Sequence, residues 1–291
     1  MSTPPTMIGL SLPDIDRWSE RVVVALGQNP NIFTGPGTNT YLIGTGPKRI
    51  LLDTGSGVPE YPAVLERAIE FAGCDGIQEI VLTHGHPDHI GGVAQVCERF
   101  GKLPVSKLAW PEVDAAYDLD LRLLEDGAVV STEGARLRAL HTPGHCVDHL
   151  CFVLEEERSL FSGDNVLGVG TTVIPSTTGS LRDYMDSLRR LESEAPTAIY
   201  PAHGPLIADG LAKIRAYIAH REQRDEQILA AMRSGAEGIP QIVKIVYASY
   251  PESLHAAAGQ SVCSHLIKLA AEGLVARSGE NEPLADGWTL L

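Results

Sequence analysis

Thr83-His84-Gly85-His86-Pro87-Asp88-His89 follows the apolar run Ile80-Val81-Leu82 and sets three imidazoles and one carboxylate within six positions. A lone histidine makes no metal site. Clustered imidazole nitrogens and carboxylate oxygens, however, are the donors that suit Zn²⁺ and neighbouring transition metals. His84 and His86 share one side of a short loop while Asp88 and His89 lie further round it, so the spacing predicts two ions rather than one. Four donors cannot fill two shells, and the chain must return with more. Three later stretches share the same grammar, a strand with a donor at its tip beside a Gly or small residue: Thr142-Pro143-Gly144-His145, Phe161-Ser162-Gly163-Asp164 and Tyr200-Pro201-Ala202-His203-Gly204. Small residues belong where backbone must approach a site closely.

Working outward, short β-branched runs at 22–25, 40–43, 50–53, 80–83 and 137–140 read as strands, and helix-period segments follow at 60–71, 91–99 and 181–192. Gly44-Thr45-Gly46-Pro47 predicts a hairpin turn. A further strand pair is expected at 149–153 and 159–162 around Glu155-Glu156-Glu157. This alternation predicts an α/β layer protein. From about residue 206 the pattern turns helical, with Leu211, Ile214, Tyr217 and Ile218, then Ile228, Leu229 and Met232, in helical register. The division expected is a catalytic domain over 1–221 and a second domain over 222–291. In the latter, helices before Gly235 and at 240–248 and 259–271 precede short strands at 274–278 and 287–290, the outline of a winged helix. That outline is usual in DNA readers, yet acidic residues outnumber basic ones here, which favours a cap or packing module.

The 291 residues carry 23 Lys+Arg against 37 Asp+Glu, a formal charge of −14 that disfavours long-range attraction to nucleic acid or anionic lipid. Apolar runs are far shorter than the roughly 20 residues a membrane helix needs. Residues 1–20 show no targeting pattern and the five cysteines show no paired spacing, so a cytoplasmic protein with free thiols is expected. Thr34-Gly35-Pro36-Gly37-Thr38-Asn39 lacks a nucleotide-binding continuation and reads as a loop beside the cleft, with Phe33 as an aromatic cover. Gly168-Val169-Gly170-Thr171-Thr172 reads as the facing wall, which makes Thr171 a substrate-binding candidate. Asp53 is the candidate carboxylate for fixing a ligand imidazole through its other nitrogen. His149 reads as such a support or as structural, since seven donors already fill two sites. Ser180 reads as a helix N-cap.

The four donor stretches resemble the metallo-β-lactamase superfamily in order and spacing. With Asn39-Thr40-Tyr41-Leu42 and Leu52-Asp53-Thr54-Gly55, they look most like its beta-lactamase-like protein 2 group. The resemblance implies an αββα sandwich with the site along one edge of its sheets. It implies that His84, His86 and His145 hold a first zinc, that Asp88, His89 and His203 hold a second, and that Asp164 bridges them. Members of that group act as single-strand endoribonucleases, and similar fungal enzymes are thioesterases. Gly85 and Pro87 stand where the group often has Trp and a basic residue, which removes a phosphate contact.

Two zinc ions sharing a water lower its pKa toward about 7, so the expected nucleophile is a bridging hydroxide. Asp88 is then a candidate catalytic residue that orients the hydroxide and moves its proton. Mn²⁺ or Fe suits the same donors. The function expected is hydrolysis of a small or carrier-borne ester, thioester or cyclic amide such as a lactone or β-lactam. The alternatives are a zinc-dependent endoribonuclease on single-stranded RNA and a non-catalytic metal-binding regulator. A homo-oligomer is compatible with all three.

Overall fold

The computed structural model describes residue 7 and residues 9–279 and 282–291. Residues 1–6 and 8, part of the stretch read for targeting patterns, and residues 280–281 in the acidic loop of the wing lie outside the described residues. Seven strands lie side by side in chain order: β1 (Ile15–Arg17), β2 (Val22–Leu26), β3 (Asn39–Ile43), β4 (Lys48–Leu52), β5 (Gly76–Val81), β6 (Val105–Lys107) and β7 (Leu121–Leu123). The pairs from β1 to β4 are antiparallel and those from β4 to β7 parallel. Parallel neighbours need crossovers, and these carry α1 (Tyr61–Ala72), α2 (Pro87–Ile90), α3 (Val93–Phe100) and α4 (Pro111–Asp114). A second sheet has the order β12-β11-β10-β9-β8, built from β8 (Val129–Thr132), β9 (Ala135–His141), β10 (Leu150–Leu154), β11 (Ser159–Gly163) and β12 (Ile199–Pro201). The hairpins expected around Gly44–Pro47 and the Glu155 run join β3 to β4 and β10 to β11.

Burial of both faces explains why a strand such as β2, Val22-Val23-Val24-Ala25-Leu26, reads as an unbroken apolar run. In β2, Val22 and Val24 face the second sheet and join Tyr41, Leu52, Phe152 and Phe161 in the inter-sheet core. Val23 and Ala25 face the other way and pack under α1 and α3 with Tyr61, Leu65 and Val96. The outer face of the second sheet is covered by α5 (Leu181–Glu194) and α6 (Gly210–Arg233) through Leu140, Leu160, Leu188 and Ile214. Burying each such side chain contributes about 1.5–3 kcal/mol, and the four layers make an αββα sandwich. Ser180 caps α5, its hydroxyl accepting from the Asp183 N–H at 3.3 Å.

The chain then completes a winged helix with α7 (Ile239–Val246), α8 (His255–Ala271), β13 (Val275–Ser278) and β14 (Gly287–Leu290), around a core holding Ile242, Val262, Leu266 and Trp288. α6 runs unbroken through Glu222. Its first half, with Ile214 and Tyr217, packs on the sandwich, and its second half, with Ile228, Leu229 and Met232, belongs to the winged-helix core. The two parts therefore share a helix rather than a linker. α8 begins at His255, earlier than the periodicity implies, because His255-Ala256-Ala257-Ala258 has strong helix formers but little apolar contrast. β1, β6, β7 and β8 are only three or four residues long, too short for a period to register.

One edge of the sandwich is stitched shut. The Leu150 N–H donates to Thr83 O (2.8 Å), the Asn39 N–H to Ala202 O (2.7 Å), and the Ala202 N–H to Gly163 O (3.1 Å). Asn39 Nδ2 adds bonds to Pro201 O and Gly204 O, both at 2.8 Å. These bonds bring the ends of β5, β11 and β12 to one place.

Candidate metal centre

Each chemistry-bearing side chain stands in a loop or short helix that follows a strand. After β5, His86 stands at the N-terminus of α2, whose first residue is Pro87. Proline suits that position because it has no N–H to leave unpaired there. The start of α3 is pressed onto the turn after β4: a Cβ on its N-cap Gly92 would collide with Thr54 O, so the glycine is needed for the approach. Gly163 meets a similar limit, where a Cβ would sit 2.6 Å from His149 Nε2.

The donors form two groups. His86 Nδ1 lies 3.0 Å from both His84 Nε2 and His145 Nε2, and Asp164 Oδ2 is 3.4 Å from His145 Nε2. Across the carboxylate of Asp164, Oδ1 lies 3.2 Å from His203 Nε2 and 3.4 Å from His89 Nε2. Asp88 Oδ2 lies 3.2 Å from His203 Nε2 and 3.5 Å from His89 Nε2. All seven residues singled out in the sequence thus converge, with one oxygen of Asp164 turned to each group. His89 Nε2 and Asp164 Oδ1 are buried and have no hydrogen-bond partner. Orphaned buried donor atoms are costly, and a divalent cation between them would satisfy both.

The remaining ring nitrogens are anchored. His89 Nδ1 meets Asp53 Oδ2 at 2.8 Å, and the same carboxylate accepts from the Thr83 N–H (2.8 Å) and Thr83 hydroxyl (2.9 Å). Asp53 thus stands where the sequence suggested. It holds a positive φ of 60° just beyond β4. His84 Nδ1 meets the Thr83 hydroxyl at 3.0 Å, and His145 Nδ1 meets Val173 O at 3.0 Å. His149 stands behind the cluster: its Nε2 accepts from the Asp164 N–H (3.0 Å) while Nδ1 meets the Thr142 hydroxyl. Thr83 was inside the quoted motif, whereas the Val173 carbonyl gave no sequence clue, since a backbone acceptor carries no residue identity. Phe33 (68% exposed) and Thr171 are exposed, and among the described residues no hydrogen bond or ring contact joins either to the donors. Cys146 Sγ lies within 4.8 Å of donor atoms of His84 and His86. Burial and the nearby Asp148 raise its thiol well above the ordinary range.

The electrostatics divide along the same line. Burial and neighbouring rings push His84 well below its ordinary value and His86 down to about 4, so both are neutral with free lone pairs. Burial acts the same way on His89, but Asp88, Asp53 and Asp164 override it and hold it well above; His203, against burial, is lifted to about 9 chiefly by Asp164. Asp88 and Asp164 are held well below the carboxylate range despite burial, by His89 and His203 respectively. The centre is built to receive positive charge.

Residues 33–203 match the family model of the metallo-beta-lactamase superfamily, and residues 239–288 that of the beta-lactamase associated winged helix domain. The chain belongs to the metallo-beta-lactamase superfamily. It is 38% identical over 283 residues to the lactamase-like protein adaB of Aspergillus niger, covering 92% of this chain and 86% of that one. It is 40% identical over 227 residues to an atrochrysone carboxyl ACP thioesterase of Aspergillus novofumigatus (78% and 67% covered). It is 38% identical over 266 residues to the beta-lactamase-like protein 2 homolog of Caenorhabditis elegans (90% and 88%). A beta-lactamase domain protein from Burkholderia ambifaria shares the fold over the whole chain, with a TM-score of 0.80 at 20% identity and 95% of that chain covered. Membership of this superfamily, with relatives named as thioesterases, makes the chain a hydrolase. Among the described residues, no helix is long and apolar enough to cross a membrane.

Proposed function

We propose that the chain is a dinuclear zinc hydrolase acting on a small or carrier-borne ester, thioester or cyclic amide. The observation that carries this reading is the pair of donor groups sharing Asp164, with His89 Nε2 and Asp164 Oδ1 buried and unpartnered between them. In the proposed assignment His84, His86 and His145 hold the first ion, Asp88, His89 and His203 the second, and Asp164 reaches both. Bound there, divalent cations supply Lewis acidity and lower the pKa of a coordinated water. Asp88, the least buried of the carboxylates at the centre, turns Oδ2 to His89 and His203, which leaves its other oxygen to accept a proton and pass it to a leaving group. Asp53 and the Val173 carbonyl accept from Nδ1 of His89 and His145 and so turn Nε2 of each ring toward the cation sites.

Relatives named as acyl-carrier-protein thioesterases support the acyl class, and the charge of −14 weighs against a polyanionic substrate. Exposed Phe33 and Val173 offer apolar surface suited to an acyl group. The test offers the zinc-loaded protein and its Asp164→Ala variant to a panel of thioesters, lactones and β-lactams and, separately, labelled single-stranded RNA. Acyl hydrolysis that chelation abolishes is expected, and Asp164→Ala should lose both turnover and metal by elemental analysis. Zinc-dependent RNA cleavage without acyl hydrolysis would overturn the substrate assignment, and full metal content in the variant would overturn the shared role of Asp164.

A further inference from the structure

The segment after Asp164 is tied back to the C-terminal helices by four buried side chains. Tyr184 of α5 donates its hydroxyl to Asn165 O at 2.6 Å. Tyr217 of α6 accepts from the Leu167 N–H and donates to Gly170 O, both at 2.9 Å. Arg221, one turn further along α6, donates Nη2 to Thr172 O at 2.5 Å, and Ser264 of α8 donates to Ile174 O at 2.8 Å. The segment in turn grips the centre. The Thr172 hydroxyl donates to Asp164 O at 2.5 Å, and Val173 O, between the carbonyls held by Arg221 and Ser264, is the acceptor for His145 Nδ1.

Arg221 is the unusual member. It is only 6% exposed, its guanidinium lies 5.4 Å from the Tyr184 ring, its Nε has no partner, and no carboxylate pairs with it among the described residues. A buried guanidinium without a counter-charge is costly, and a side chain serving packing alone would be apolar. What Arg221 does gain is a charge-assisted bond to the one carbonyl whose residue also binds Asp164.

We propose that Arg221 is a positioning residue for the His84, His86, His145 and Asp164 group. By fixing the Thr172–Val173 backbone it sets the His145 ring and the Asp164 main chain, so the affinity of the first ion depends on a helix shared with the winged-helix domain. This rests on the metal reading above.

The full-length chain, stripped of metal, is titrated with Co²⁺ and followed by its visible d–d absorption, with far-UV circular dichroism as the folding check. Arg221→Met is measured in two backgrounds, His203→Ala, which leaves the first donor group complete, and His145→Ala, which leaves the second. Because loss of an outer support typically weakens metal binding 10–100-fold, Arg221→Met should weaken Co²⁺ about tenfold in the first background and less than about twofold in the second. Arg221→Lys, which keeps a cationic donor, should recover part of the loss. Equal affinities in the first background, or equal losses in both, would overturn the proposal. If Arg221→Met does not fold, Ser264→Ala decides, since it removes one hydroxyl from the same segment: a selective first-group loss supports the brace and unchanged binding refutes it. A parent chain that binds no Co²⁺ would sink the metal reading and this proposal with it, whereas two ions bound with Arg221→Met silent would sink only the brace.

Discussion

Asp53→Asn is nearly isosteric, yet the geometry leaves it no satisfactory arrangement. In the native site Oδ1 accepts from the Thr83 N–H while Oδ2 accepts from His89 Nδ1 and the Thr83 hydroxyl. An asparagine has one acceptor oxygen for these two positions. If that oxygen keeps Thr83, the amide NH₂ faces His89 Nδ1, which must then give up its proton and carry it on Nε2, where a cation needs the lone pair. If the oxygen keeps His89, the NH₂ confronts the Thr83 N–H, and two donors meet at a buried position. Either choice loses a hydrogen bond to a charged group, worth about 1.5–3 kcal/mol, which corresponds to roughly 10–150-fold at about 1.4 kcal/mol per decade. Zn²⁺ affinity measured by competition with a chelator should therefore fall by one to two orders of magnitude. The loss should fall on the His89-containing group. Wild-type Zn²⁺ affinity in a folded Asp53→Asn protein would refute the reasoning, because His89 would then need no carboxylate to set its tautomer.

Two further outcomes follow from packing and charge. Gly144 adopts φ 129°, and a Cβ there would lie 2.4 Å from the backbone of Tyr184; Gly144→Ala should destabilise the chelated protein by about 2–3 kcal/mol, and an unchanged denaturant midpoint would show that the turn before His145 is not pressed onto α5. Asp225 is buried against His265 Nδ1 (2.6 Å) and Lys268 Nζ (2.9 Å), and although burial opposes it, these bonds lower its pKa below 3.8. A lowered folded pKa gives stability that is present above the unfolded value and is lost as pH falls through the folded one. Asp225→Asn should thus cost about 3 kcal/mol at pH 7, with the gap to wild type closing below pH 4, as read by urea unfolding. A gap that stays constant to pH 3 would exclude the ionised carboxylate as its source.

Much of the sandwich was legible because its strands are covered on both faces. β2 is buried throughout, so its sequence is a continuous apolar run with sharp ends, and β3, equally buried, carries Tyr41-Leu42-Ile43 after two polar residues. The seven donors were legible for another reason: an imidazole or carboxylate beside a small residue at a strand end is conspicuous in one dimension, and the edge bonds among Thr83, Asn39, Gly163 and Ala202 bring those ends together. What escaped is what has no residue signature. Val173 acts through its carbonyl and Thr172 through a turn, and Arg221, although it stands in the buried register of α6 with Ile214 and Tyr217, is of a residue type that is usually solvated. Phe33 and Thr171 read as substrate-facing from their place beside the motifs, and both side chains are exposed. The division near Glu222 rests on the change to helical periodicity, and one helix runs through it from Gly210 to Arg233.

These supports show how one centre is held from two directions. His89 is fixed by Asp53 at the end of β4, and His203 pairs its backbone with Thr38 at the entry to β3, so this half of the site is set by the first sheet. His145 rests on the Val173 carbonyl, and the segment carrying that carbonyl is bound by α5, α6 and α8. Asp164 reaches both halves, through one carboxylate oxygen each. Its backbone is held at both of its polar groups: His149 Nε2 accepts its N–H, and the Thr172 hydroxyl is bound to its carbonyl. A carboxylate that faces both donor groups can tolerate little freedom, since a shift that favours one oxygen moves the other away. The buried imidazole of His149, kept neutral by burial and so able to accept that N–H, is therefore as much a part of the centre as the side chains whose nitrogens face it.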